Sequence, residues 1–431
     1  MRLIGNKSRL LGEIEALLRD RGLSGGTLVY IFCGTASVGR HFKSLGYRVI
    51  ANDHLSMCYT KAVAEVEVSQ YPAFEALREK CSEIFRSPGF AQTFSAQGSL
   101  RFDGASALEL AKVIHLLDRY VEPEEGLIFR NYCPGGGKGR LYFTDENGKK
   151  IDGILGFLRE NHREGNLSRE ELHPLLSSLL DAADRVANIS GTYGAYLKSW
   201  QRNALAPLQL KVPQILVSSL RHQAFQEDAN ELIRGVKGDV LYIDPPYNHR
   251  QYAANYHVLE IIAEFHKIAD PSQYEASLYG KTGLRPYKDL RSAYCVPPSP
   301  RSKGDDVLSA MTDLILSSKV KHVVVSYNEE GLLTREELGS ILSRFSGRRS
   351  FDFEKNMRAV LYRRFRSDAD RDPISGKGTR QYKVLDGKGR DEISEWLLFA
   401  SRGRSRAGSS ASPRTASSTK ASSRKVAEQE S

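Results

Sequence analysis

The sequence predicts an α/β protein: a sheet domain flanked by helices and split by a long insertion. Three observations carry this expectation. Residues 25–53, GGTLVYIFCGTASVGRHFKSLGYRVIAND, read as strand, glycine-containing turn, helix and strand, a βαβ unit of the expected length. The same kind of pattern resumes only near residue 222, after about 160 residues of mixed character. A stretch that long is too large for a loop inside a compact domain, so it should be a domain or large subdomain of its own.

Taken in order, residues 8–20 (SRLLGEIEALLRD) have apolar positions at helical spacing, with Ser8 as the N-cap. A strand follows at 28–32, a turn at 33–39, a helix at about 37–46 and a strand at 47–51 that leads to Asp53. The long middle holds helical stretches at 60–82, 105–120 and 169–188. HQAFQEDANELI (222–233) reads as a short strand and a helix. GDVLYIDPPY (238–247) is a buried strand stopped by two prolines, which cannot donate to a ladder. VLEIIAEFHKI is helical, residues 270–304 form a polar, proline-rich loop, and a helix at about 305–318 precedes the strand in KHVVVSYNEEG. FDFEKNMRAVLYRRF and EISEWLLFAS alternate like an antiparallel pair. The expected division is 1–58 and 219–400 for the two parts of the sheet domain, 59–218 for the insertion, and 401–431 for a disordered tail of Ser, Arg, Ala and Lys.

The bulk numbers exclude several classes. No apolar run in the 431 residues approaches the roughly 20 a membrane span needs. Acidic residues interrupt the apolar start, so it is not a secretory signal. Five scattered cysteines with no C-x-x-C pair argue against a zinc site and a disulfide framework, and fit a reducing cytosol. Net charge is +10, of which the seven Lys/Arg and two Glu of 401–431 supply +5. The rest is mildly basic, which permits a polyanionic partner without demanding one. A solvated basic tail would account for the charge equally well.

Two places carry chemistry. In YIFCGTASVG, Gly34 and Gly39 flank a strand-to-helix turn where the backbone can approach a ligand and helix N–H groups are free. Asp53, 19 residues beyond Gly34 at the end of the next strand, is placed to bind ribose hydroxyls. Taken alone, such a turn is as often purely structural. Asp244-Pro245-Pro246-Tyr247 is the sharper signal, a carboxylate, stiff carbonyls and a ring at a strand's carboxyl end. The N6 amine of adenine is a poor nucleophile, because its lone pair is conjugated into the ring. Acceptors on its two N–H bonds, from Asp244 and the Pro245 carbonyl, would polarise it. Tyr247 would stack on the base, a contact worth about 1–3 kcal/mol. A base reached in this way has left its duplex. The bland alternative is an Asp cap beside a proline stop. No Ser-His pair or activated cysteine motif suggests another enzyme class.

With these residues in hand, the chain resembles adenine-specific (N6) DNA methyltransferases that use S-adenosylmethionine, in the subgroup of the GATC-methylating enzymes and type II modification enzymes. The resemblance covers roughly residues 2–400 and rests on order: IGNKSRLL (4–11), FCGTASVG with Asp53, the insertion, QEDANEL and then DPPY. This is the alpha arrangement, with target recognition between cofactor and catalytic motifs. It implies a Rossmann-like methyltransferase sheet with an inserted target-recognition domain. Lys7, Phe32, Gly34 and the turn to residue 39 would hold the methionine moiety, Asp53 the ribose and Asp228 the cofactor's adenine. Asp244, Pro245, Pro246 and Tyr247 would hold the flipped base, with residues 248–257 and 326–331 flanking the cleft. Leu3 departs from the aromatic residue often found at that place, which puts a stacking contact there in doubt. Segments 129–152 and 189–200 resemble pieces of related modification enzymes. They supply Arg130, Lys138, Arg140 and Lys198 as DNA-contact candidates, each equally readable as a solvated charge.

The implied reaction is direct in-line methyl transfer with no covalent enzyme intermediate and no metal. The implied setting is a monomer in the bacterial cytoplasm, associated with the nucleoid, acting on double-stranded DNA, with a separately encoded restriction endonuclease as a possible partner. Cytosine N4, an RNA base, a protein glutamine amide, or DNA binding without catalysis stand as alternatives.

Overall fold

The computed structural model describes residues 1–5, 7–96, 105–363 and 392–403. Most of the tail expected to be disordered, 404–431, lies outside these. The strands are β1 (Thr27–Tyr30), β2 (Arg48–Asn52), β3 (Gln223–Phe225), β4 (Val240–Ile243), β5 (His322–Asn328), β6 (Met357–Arg363) and β7 (Glu392–Ser401), in the order β3-β2-β1-β4-β5-β7-β6. The first five run parallel. The expected antiparallel pair is present, with β7 inserted between β5 and β6.

Both faces of the sheet are covered, which is why its central strands are apolar throughout. All four residues of β4 are buried. On one face, Val29, Leu241, Val323 and Leu398 pack with the helices Ala229–Gly235, Val307–Ser317 and Arg335–Ser346. The last of these, which the sequence reading passed over, begins with a capping box between Thr334 and Glu337. On the other face, Leu28, Tyr30, Tyr242, Val324 and Leu397 join a cluster that runs without a break into the insertion. Helix α1 (Leu11–Asp20), helix α2 (Ser37–Ser44) and helix α3 (Ser56–Ala62) belong to this side. The insertion helix Arg169–Val186 lies against α3 and the helix His257–Glu264, so insertion and sheet share one core.

Several local expectations shift. Helix α1 starts at Leu11 after an uncapped Leu10, so Ser8 is not its N-cap. The stretch 60–82 is not one helix, because α3 passes into a π-helical turn at Val63–Glu67 and shorter helices follow. Residues 145–152, read as part of a DNA-contacting segment, open a 19-residue helix, Asp145–Arg163, capped by Thr144.

The order of strands sets the site. From β1 the chain goes outward to β2 and β3, then returns to the other side of β1 as β4 and continues to β5. The sheet therefore reverses direction between β1 and β4, and the crevice beyond their carboxyl ends is the natural ligand position. Tyr30 pairs with Tyr242 there, so Phe32–Gly34 and Asp244 leave the sheet side by side. Among the described residues no helix is long and apolar enough to cross a membrane.

Candidate active site

A cavity of about 750 Å3 opens at this reversal point. Lys7, Phe32, Gly34, Asp53, Asp228 and the whole of Asp244–Tyr247 line it, so nine residues from five separate segments meet in one place.

The β1 turn is shaped by backbone requirements. Gly34 has φ +50°, and a Cβ there would meet Leu3 Cδ2 at 3.1 Å. Gly39 has another reason: a Cβ would meet Val66 Cγ2 at 2.8 Å and the Tyr30 ring at 3.4 Å. It lets α2 lie close on the sheet and is not among the residues that line the cavity. Asp53 ties the turn to β2, accepting the Gly34 N–H at 2.9 Å and the Leu55 N–H at 3.1 Å. Burial raises its pKa, opposed by those two donors. Asn52 fastens the neighbouring strand ends, donating to the Ile31 and Glu227 carbonyls and accepting the Glu227 N–H. Asp228 is the N-cap of Ala229–Gly235 and accepts from the Asn230 and Glu231 backbone.

Lys7 is brought in by the first residues of the chain. The Ile4 N–H donates to the Tyr256 hydroxyl at 2.9 Å, and the Tyr252 hydroxyl donates to the Ile4 carbonyl at 3.2 Å. The Arg2 N–H donates to Asp184 on the insertion helix. The Lys7 ammonium, 4% exposed, then lies 3.1 Å from Asp244 Oδ1 and 2.7 Å from Glu395 Oε1. Its distance to the Tyr247 ring centre is 6.0 Å. Burial works against the Lys7 charge, but Asp244 and Glu395 outweigh it and hold its pKa well above that of an ordinary lysine. Burial pushes Asp244 up to about 7, with Lys7 pulling it down and Glu395 pushing it further up.

Three residues of this region, Glu395, Ser292 and Tyr294, carry no signal in the sequence. Glu395 is fully buried on β7, and only strand parity could have pointed it to the Asp244 side. Gln251, within the stretch 248–257 expected to flank the cleft, exchanges two hydrogen bonds with the backbone of Ser292, at 3.2 and 2.9 Å, which latches the loop 270–304 to the segment that follows Asp244–Tyr247. Tyr294 donates to Asn230 at 2.7 Å and packs edge-on against Phe32 with ring centres 4.8 Å apart. Ser292 and Tyr294 lie in a loop whose composition carries no such signal.

The four basic candidates of the insertion lie apart from one another in role. Arg140 is buried and donates to the carbonyls of Asn131, Gly280 and Lys281. Arg130 grips Glu275 through two nitrogens, the closest contact being 2.8 Å. Both join the insertion to the loop 270–304. Lys138 and Lys198 are exposed. Among the described residues no cluster of His, Cys, Asp or Glu is arranged to hold a metal ion.

With the crevice assembled, comparison with known proteins is decisive. The model of the D12 class N6 adenine-specific DNA methyltransferases matches residues 3–328. The chain belongs to that family. Among its relatives are the type II methyltransferase M.FokI of Planomicrobium okeanokoites, 36% identical over 79% of this chain and 46% of that protein, and M.NlaIII of Neisseria lactamica, 34% identical over 85% and 93%. The modification methylase StsI of Streptococcus sanguinis is 33% identical over 85% of this chain and 49% of its own length. This D12 methyltransferase thus spans about half the length of M.FokI and StsI and nearly all of M.NlaIII. Both ends of the matched region contribute to the crevice, since Lys7 lies near its start and Asp313 toward its end.

Proposed function

We propose that this chain transfers a methyl group from S-adenosylmethionine to N6 of an adenine flipped out of duplex DNA. The observation that supports it most is the single cavity joining the Gly34–Asp53 turn to Asp244–Tyr247. Its volume falls in the range of about 300–1,000 Å3 typical of small-molecule sites. The donor set fits the cofactor. A carboxylate has about four acceptor positions, and the two backbone donors on Asp53 leave room for ribose hydroxyls. Gly34 keeps the turn free of a side chain where the methionine end would lie. Asp228 stands at the cavity rim for the cofactor's adenine, and Lys7 would face the methionine end while bridging the carboxylates.

When bound, S-adenosylmethionine supplies an electrophilic methyl on a sulfonium, a good leaving group. The chain's own residues do the rest. Asp244 and the Pro245 carbonyl accept the two N6–H bonds, so that the nitrogen lone pair turns toward the methyl. Pro246 holds the backbone stiff and Tyr247 stacks on the base. This is catalysis by orientation and fixed dipoles, with no covalent enzyme intermediate. Lys138 and Lys198 contact DNA phosphates. The chain acts as a monomer in the cytoplasm, within a restriction-modification setting that includes a separately encoded endonuclease.

The test is methylome sequencing of a methylase-free host expressing the chain beside an Asp244→Ala control. N6-methyladenine at one short motif, absent from the control, is the expected result. Modification of cytosine, or none in either sample, would overturn the reading.

A further inference from the structure

Tyr242 on β4, Ser326 on β5, and Glu395 and Leu397 on β7 share one face of the sheet, because side chains alternate along each strand, and Asp244 follows directly on the end of β4. Asn328 pairs with Glu395 in the register, so β7, running antiparallel, delivers a carboxylate to the same edge at which β4 delivers Asp244. The Ser326 hydroxyl donates to Glu395 Oε1 at 2.5 Å, the same oxygen that Lys7 approaches at 2.7 Å. The longer Lys7 contact, 3.1 Å, is the one to Asp244. One cation is therefore shared between two buried carboxylates, and the shorter bond goes to the carboxylate farther from the cavity. A lone buried Lys–Asp pair would need no third charge, and an unmatched buried carboxylate is costly.

We propose that Glu395 is a positioning residue for methyl transfer: by drawing Lys7 toward itself, it keeps the Asp244 carboxylate held yet basic enough to accept from the N6 amine and take its proton. The inference rests on the function proposed above. In the step, the N6 lone pair forms the new N–C bond, the pair of the broken C–S bond stays on the departing sulfur, and the extra N6 proton passes to Asp244.

The other groups facing Asp244 do not compete for this role. Tyr30 on β1, Tyr242 on β4, and Tyr247 and Tyr252 in the following segment all have pKa values raised chiefly by burial, so they stay neutral at working pH. Lys7 and Glu395 are the charges that act on Asp244.

The experiment compares the unaltered chain with Glu395→Gln and Ser326→Ala in two readouts. The first is the carboxyl 13C titration of Asp244 in the cofactor-free protein, assigned with Asp244→Asn. The second is the single-turnover rate of methyl transfer to unmethylated genomic DNA as a function of pH. In Glu395→Gln the Lys7 charge falls wholly on Asp244. Its titration and the acid limb of the rate should both move to lower pH by about one unit, with a lower plateau rate. Ser326→Ala leaves Glu395 a stronger partner for Lys7 and should move both the other way. It removes only one hydroxyl, so it carries the test if Glu395→Gln fails to fold. Unchanged titrations and limbs, or an upward shift in Glu395→Gln, overturn the inference while methylation by the unaltered chain stands. No methylation by the unaltered chain would remove the functional reading, and the inference with it.

Discussion

At the scale of single residues, the site depends on one lysine standing between two acids. Lys7, Asp244 and Glu395 are all largely buried, and the ammonium is the only cation within salt-bridge reach of either acid among the described residues. Breaking such a group by removing one partner costs about 3–5 kcal/mol, because the remaining charge is left uncompensated. Lys7→Met is therefore expected to destabilise the chain by about that much in denaturant unfolding at pH 8, above the value of about 7 to which Asp244 is pushed, and less at pH 6, below it. A variant of wild-type stability at both values would contradict the account. Lys7→Arg should fail to restore turnover, since a planar fork cannot sit at the place of a compact ammonium.

At the scale of elements, two buried side chains hold strands and helices in register. His222 precedes β3, and the Val49 N–H of β2 donates to its Nδ1 at 3.1 Å. That nitrogen must carry a lone pair, so Nε2 holds the proton and donates to Ser218 at 2.9 Å. Burial, aided by Lys43 and Arg48, lowers its pKa to about 4. Because the folded pKa lies below the ordinary 6.5, its stabilisation is full above pH 6.5 and is lost as pH falls toward 4. His222→Gln should be less stable than the unaltered chain at pH 8 and show a flatter decline between pH 6.5 and 4. Equal slopes in thermal melts across that window would refute it. Glu260, fully buried, does for α3 what a capping residue usually does from within the chain: it accepts the Ser56 and Met57 N–H groups from another helix, at 3.1 and 2.8 Å. Glu260→Ala leaves those two donors unmatched and should cost about 1–3 kcal/mol. Because α3 follows Asp53 directly, a rise in the Kd for S-adenosylmethionine should accompany it.

At the scale of the molecule, the loop 270–304 lines one side of the crevice and is joined to the insertion by Arg130, Arg140 and the Tyr132 hydroxyl, which donates to the Gly283 carbonyl. This separates two kinds of basic residue that look alike in sequence. Arg140→Ala should lower stability, by leaving three carbonyls without a donor, and should leave the salt dependence of DNA binding unchanged. Lys198→Ala should leave stability unchanged and weaken binding across all sequences, with the slope of log K against log salt reduced by about 1. The reverse pattern would exchange their roles. Removal of 404–431, with its basic residues, should flatten that slope further, and an unchanged slope would show the tail takes no part.

The α/β sheet and the meeting of the Gly34–Asp53 turn with Asp244–Tyr247 were legible from the chain alone, whereas the order of strands in the sheet was not. Each rests on local chemistry: apolar runs buried on both faces, a Gly34 turn that needs positive φ, and prolines that stop β4 at Asp244. Relations among residues far apart in sequence were decided only by the tertiary structure. Nothing local distinguishes Arg140, which ties backbone carbonyls, from Lys138, which faces solvent, because burial is a property of what packs around a side chain. Nor does EISEWLLFAS reveal that Glu395 lies beside Lys7, some 390 residues away in the chain. That contact follows from β7 running antiparallel beside β5, which sets the register and with it the face and depth at which one carboxylate meets another.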